Sequence, residues 1–157
     1  MKLGRNVEAR VFCKEGEDEE KIKERLRSLF PFVLEDEKIE LSSKAAEGLE
    51  HKRILVFTVL LKKDRHINAF IKNLFRQLDS EKKDILIKQL DSRIDDHLNF
   101  FLRFDKDRLL DDNVLWLTDS GNCFHLRIGI ASYPSNKFAA KKTMQNIINM
   151  PLDEESQ

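Results

Sequence analysis

Residues 98–108, LNFFLRFDKDR, constrain the fold more tightly than any other stretch of the chain. Leu98, Phe100, Leu102 and Phe104 alternate with Asn99, Phe101, Arg103 and Asp105. A period of two with this many aromatics predicts a strand with one buried face and one partly polar face. The run Asp105-Lys106-Asp107-Arg108 then predicts a charged, solvated turn. Such a turn holds polar groups on a rigid edge, where binding residues often sit.

Residues 6–13 repeat the alternation, with Val7, Ala9, Val11 and Cys13 set against Glu8, Arg10 and Phe12. The acidic run 15–20 leads into Ile22, Leu26, Leu29 and Phe30, an apolar stripe at helical spacing that Pro31 ends. Carboxylates in the first turn suit the positive end of the helix dipole. A short strand is expected over 38–43 with Ile39 and Leu41 on one face, and residues 43–52 (SKAAEGLEHK) read as a mobile loop. Residues 53–61 hold seven apolar residues in nine, which predicts a central strand covered on both faces.

Ile67, Phe70, Ile71, Leu74, Phe75 and Leu78 follow at the spacing of an amphipathic helix, with Asp64 as N-cap and Lys72 and Arg76 opposite. Asp79-Ser80 breaks and recaps the chain, and Ile85, Leu86, Leu90 and Ile94 carry a second helix over 82–94. Asp95-Asp96-His97 is a turn. After the charged turn, residues 109–112 suit a brief helical turn and 114–117 a short strand. TDSGN (118–122) then forms a tight turn, with Gly121 available for positive φ. A long strand over 123–131 turns Phe124, Leu126, Ile128 and Ile130 inward, leaving Cys123, His125, Arg127 and Gly129 on its other face. These two strands and their turn predict a hairpin. Ser135 starts a last helix carrying Phe138, Met144, Ile147 and Ile148 with basic Lys137, Lys141 and Lys142.

The predicted order is β-α-β-β-α-α-β-β-β-α. It implies an α+β fold: a mainly antiparallel mixed sheet with helices packed on one face. The length fits a single domain over residues 1–150, followed by an acidic tail over 151–157. A hydrophobic content of 41% is enough for a core despite 36% charged residues. No apolar run is long enough to span a membrane and no signal-peptide pattern follows Met1-Lys2, so a cytoplasmic protein is expected.

Net charge is zero but uneven. Residues 1–50 carry −3, residues 51–150 carry +6, and Asp153, Glu154 and Glu155 make the tail −3. A basic middle is compatible with a nucleic-acid surface. Chemistry by contrast finds little footing. The two cysteines fall in predicted strands, where thiols behave as small buried apolar groups. His51, His66, His97 and His125 lie in four segments with no ligand spacing for a metal, and no phosphate-cradling glycine loop or nucleophile elbow is present. No catalytic residue, metal site or cofactor is therefore assigned.

The candidate phosphate partners are Lys62, Lys63, Arg65, Arg103, Lys106, Arg108, Arg127, Lys137, Lys141 and Lys142. Sharing a face, they would bind RNA mainly through charge. Phe101 or Tyr133 could stack a base if exposed, though packing inside is the expectation for both.

Several segments also resemble a known family: EARVFCKEGEDEEKIKERLRSLFP, then RILVFTVLLKK with its amphipathic helix, then LRFDKD, and a closing hairpin that ends in IASYP. Their order is similar to that of the archaeal RNA-binding proteins regarded as predicted exosome-associated subunits, over roughly residues 7 to 148. The chain departs from that pattern at Asp107-Arg108, where the family has a polar residue and a glycine. The resemblance implies a double-stranded-RNA-binding-domain-like or ribosomal-protein-like α+β fold. It further implies a non-enzymatic module for structured RNA, with Arg103 and Lys106 in the matching piece. RNA-processing or ribosome-related proteins would be its partners. The second reading is a protein-interaction subunit without RNA contact, the third is an enzyme with a cleft around Asp91, Asp95 and Asp105, and a homodimer is a further possible partner.

Overall fold

The computed structural model describes residues 2–48, 50 and 52–151. The elements are β1 (Gly4–Lys14), α1 (Glu19–Ser28), β2 (Leu41–Glu47), β3 (Arg53–Leu61), α2 (Asp64–Gln77), α3 (Ser80–Lys88), α4 (Leu90–Arg93), β4 (Asn99–Asp105), α5 (Lys106–Asp112), β5 (Cys123–Ile130) and α6 (Lys137–Ile148). The fold is α+β, and its five-stranded antiparallel sheet runs in the order β2-β3-β1-β5-β4. Of the described residues, those in 2–7, 62–101 and 127–151 form one compact unit, and those in 8–48, 50, 52–61 and 102–126 form a second.

In the first unit, α2 buries Ile67, Phe70, Ile71, Leu74 and Phe75, the stripe expected from their spacing. Lys63 rather than Asp64 is its N-cap, and no side chain caps it; Asp64 is instead an acidic group in the first turn. The second expected helix is divided. Asp79 caps α3 by accepting from the Lys82 N–H at 2.8 Å, and Gln89 separates α3 from the single turn of α4. Asp95 closes the turn into β4 by accepting from the His97 and Asn99 N–H groups at 3.0 and 2.9 Å. In α6, Asn136 is the N-cap and Ala140, Met144, Ile147 and Ile148 form the buried stripe. Phe138 lies off that stripe and is 80% exposed, contrary to the inward position expected for it.

In the second unit, Asp18 caps α1, which buries Ile22 and Leu26, and the Lys23 ammonium stands 5.1 Å from the Phe57 ring of β3. Ala9, Val11 and Cys13 of β1, Leu102 and Phe104 of β4, and Phe124 and Leu126 of β5 are buried on alternate positions. Replacing Phe104 by Ala at such a site costs about 3–5 kcal/mol.

Three expectations need correction here. Leu41–Glu47 forms β2, although residues 43–52 read as a loop. Its antiparallel register with β3, from Leu41 opposite Val59 to Glu47 opposite Arg53, overrides the weak strand propensity of Ser and Ala. Of the expected loop, Leu49 and His51 lie outside the described residues, as do the acidic positions of the tail. Next, β3 is not covered on both faces: Phe57, Val59 and Leu61 are buried, but Leu60 is 38% exposed. Finally, residues 114–117 do not pair with β5 as a hairpin. Leu117 forms a lone bridge with Phe104, while the Asp105 N–H donates to the Trp116 carbonyl and the Thr118 N–H to the Arg103 carbonyl. This segment covers the β4 edge, because both neighbours of β5 are already β1 and β4.

Candidate nucleic-acid interface

In the second unit, the partly polar side of the alternation on β1, β5 and β4 gathers Arg10, Phe12, Cys123, His125 and Arg103. The order β1-β5-β4 places Cys123 on the strand between those carrying Arg10 and Arg103. Burial pushes the Cys123 thiol above its ordinary pKa, against the opposing pull of the Arg103 and Arg10 charges. The Arg10 guanidinium lies 6.0 Å from the Phe12 ring, and that ring is 42% exposed. Arg103 is exposed, and its Nη1 donates to the Asp119 carbonyl at 3.1 Å. Arginine on a rigid strand, beside an aromatic ring, suits phosphate and base recognition, because its planar fork has several N–H groups left after one bond.

Beyond β4, Asp105 caps α5 by accepting from the Arg108 N–H at 3.0 Å, so its carboxylate turns toward the helix. The Arg108 side chain stacks over Trp116 at 4.1 Å, and the indole is 46% exposed. Like Arg10 beside Phe12, it sets a guanidinium over an aromatic ring in the same unit.

Lys106 has another role than the one expected. It is not in a solvated turn but opens α5, and it is 1% exposed. Its ammonium donates to the Phe12 carbonyl at 2.7 Å and to Glu17 at 2.8 Å. A buried ammonium held by two acceptors is not available to phosphate. Burial by itself would raise the Glu17 carboxyl, but hydrogen bonds from Lys106 and from the Lys14 N–H outweigh it and hold it below its usual range.

The other candidates are dispersed. Lys62, Lys63 and Arg65 are exposed where the chain enters α2. Arg127 is half-buried on β5 in the first unit. Lys137 and Lys141 reach Asp91 at 3.8 and 2.6 Å, and the hydrogen bond from Lys141 holds that carboxyl below its usual range. Lys142 is exposed on α6. The strand order sets Arg103 and Arg10 on the strands either side of β5; the candidates omitted Arg10 although its strand register placed it opposite the apolar face. A Phe in the polar register, at Phe12, was the signal for that face. Among the described residues, no three His, Cys, Asp or Glu side chains gather as a metal site would require. Among the same residues, no helix is long and apolar enough to cross a membrane.

The model of a family described as RNA binding matches residues 6–130. The chain belongs to this RNA-binding family. The matched span runs from within β1 to the end of β5 and so contains all of the sheet but Gly4 and Arg5. Over 140 residues the chain is 29% identical to the RNA-binding protein PAB1135 of Pyrococcus abyssi, covering 89% of this chain and 90% of that one. It also resembles two solved DUF54 proteins, each 25% identical. AF2318 from Archaeglobus fulgidus superposes with a TM-score of 0.80, over 92% of this chain and 99% of its own. Mth689 from Methanothermobacter thermautotrophicus gives 0.73, over 94% and 99%.

Proposed function

We propose that this member of the RNA-binding family is a non-catalytic module that holds structured RNA by its phosphate backbone through the sheet face of the second unit. The observation that carries the reading is the pair Arg10 and Arg103, on the strands either side of β5, with Phe12 beside Arg10. Two guanidinium groups on a fixed sheet match neighbouring phosphates, and exposed aromatic surface next to them adds contact with bases. The family description and the name of the Pyrococcus relative support the same partner. RNA processing, ribosome-related assembly and association with an exosome are the cellular settings that this reading favours, in the cytoplasm.

The test is affinity for a blunt RNA hairpin and for a single strand of equal length, across a series of salt concentrations. Binding through phosphates lowers the logarithm of affinity linearly with the logarithm of salt, by about 0.9 per contact for a B-DNA duplex and about 0.7 for a single strand. Hairpin preference with a steep slope is expected. Absence of binding to either RNA at low salt would sink the proposal.

One observation favours a second reading, as a subunit that docks another protein or a second copy. β2 is at an end of the sheet, and Ser43 to Glu47 are exposed along it. An edge strand offers unpaired backbone groups to a partner strand. A protein partner needed for RNA binding, with salt-insensitive association, would decide for this reading.

A further inference from the structure

A cavity of about 690 Å³ opens on the first unit, in the size range of small-molecule sites. Lys2, Arg5 and Lys137 line it with His97, and the carboxylates in its wall are Asp95 and Asp96. Arg5 is fixed in place: its Nη2 donates to the His97 carbonyl at 3.0 Å, the Leu98 carbonyl at 3.1 Å and Asn99 Oδ1 at 3.4 Å. Two backbone features accompany this hold. Leu98 adopts φ of 61°, a left-handed conformation costly for leucine. Gly129 leaves room for the arginine, since a Cβ there would stand 3.3 Å from Arg5 Nε and 3.0 Å from Asn6 Oδ1. The Asp95 carboxylate turns into its own loop, where it accepts from the His97 and Asn99 N–H groups. Lys2, Arg5 and Lys137 thus line the cavity with Asp95 and Asp96, and Lys137 also stands 3.8 Å from Asp91 outside it. At the rim stands Tyr133, 98% exposed, an aromatic ring held almost wholly in water.

We propose that this cavity takes one unpaired nucleotide of an RNA strand, with its phosphate at Lys2, Arg5 and Lys137 and its base stacked on Tyr133. A fixed arginine supplies a preorganised donor set, and two lysines add charge without demanding geometry. An exposed tyrosine stacks any base, because every base has a π-face. The inference rests on the RNA-binding reading but not on the sheet face of the second unit. It adds a contact that discriminates RNA with a single-stranded end from blunt RNA.

The experiment uses the full chain and a fluorescent RNA hairpin, blunt or extended by four unpaired nucleotides, with affinities read by anisotropy. The extension is expected to tighten binding about tenfold, in line with stacking of one base and one added phosphate contact. Tyr133→Ala, at an exposed ring whose loss leaves the core intact, removes that gain and leaves the blunt hairpin unaffected; Tyr133→Phe keeps it. Arg10→Glu weakens both probes by the same factor. No gain from the extension, or a gain that survives Tyr133→Ala, overturns the proposal. A blunt hairpin that fails to bind, beside an extended one that binds through Tyr133, overturns the sheet-face reading and supports this one.

Discussion

On the partly polar side of the sheet in the second unit, Arg103 is exposed and Arg10 is partly exposed, with its Nε shut from solvent. Where the same unit passes from β4 into α5, Lys106 holds an equal charge that is 1% exposed and bonded to the Phe12 carbonyl and to Glu17. Arg103 and Lys106 are three residues apart. The difference teaches that the charge of a residue does not decide its role; the acceptors its neighbours supply do. A cation ringed by protein acceptors stabilises the fold, and a cation facing solvent on a rigid strand is available to a ligand. The lysines of α6 stand between these cases, since Lys137 and Lys141 share Asp91 at the surface.

The largest break in this comparison comes from Lys106→Met, which leaves the Phe12 carbonyl and the Glu17 carboxylate without their donor. It is expected to destabilise the chain by about 2–4 kcal/mol, toward the low end because Glu17 is partly exposed. Urea unfolding at neutral pH measures the loss. RNA affinity of the folded variant should not change, and a weakened affinity with intact stability would mean that Lys106 touches phosphate after all.

Next in size, the double variant Arg10→Glu, Arg103→Glu should weaken hairpin binding on the order of 100-fold at low salt and flatten the salt slope by about two. Its thermal midpoint should stay within a few degrees of the parent. Unaltered affinity would move the interface elsewhere in the molecule.

A smaller effect sharpens the structural side of the comparison. Because the Glu17 carboxyl is held below its usual range in the folded chain, its contribution is complete above the ordinary glutamate pKa, about 4.3. That contribution is lost as pH falls through the lowered folded value. Glu17→Gln should therefore be less stable than the parent at pH 7 and converge with it in acid. Parallel stability curves across that range would show that the ion pair contributes nothing. Lys141→Ala should give the smallest change, within about twofold in RNA affinity, since an exposed ion pair to Asp91 is worth little and already offsets the charge. A tenfold loss in an affinity measurement would make Lys141 itself part of the interface.

Period-two and helical spacings made most elements readable, because burial enforces them: Phe100, Leu102 and Phe104 lie inside, and α2 buries the stripe it was expected to bury. What could not be read were features set by partners distant in sequence. Ser43 to Glu47 form a strand because β3 supplies the register. Residues 114–118 lie along β4 because β5 already has two neighbours. The site was half legible. Arg103 could be named from its strand, and Arg10 was visible in the same kind of register. The fate of Lys106 depended on a carbonyl and a carboxylate about ninety positions earlier in the chain. No local pattern carries that information.

The same clasp sets a timetable for biosynthesis. Phe12 and Glu17 leave the ribosome long before Lys106 does, with separations of 94 and 89 residues. The opening strand and its following turn must therefore wait, uncompleted, while most of the polypeptide is made. Contacts of such long range form late and slow the approach to the native state. A nascent chain halted before residue 102 holds the first half of the second unit without its closing half, and protease protection of β1 should appear only once the segment through β5 has emerged.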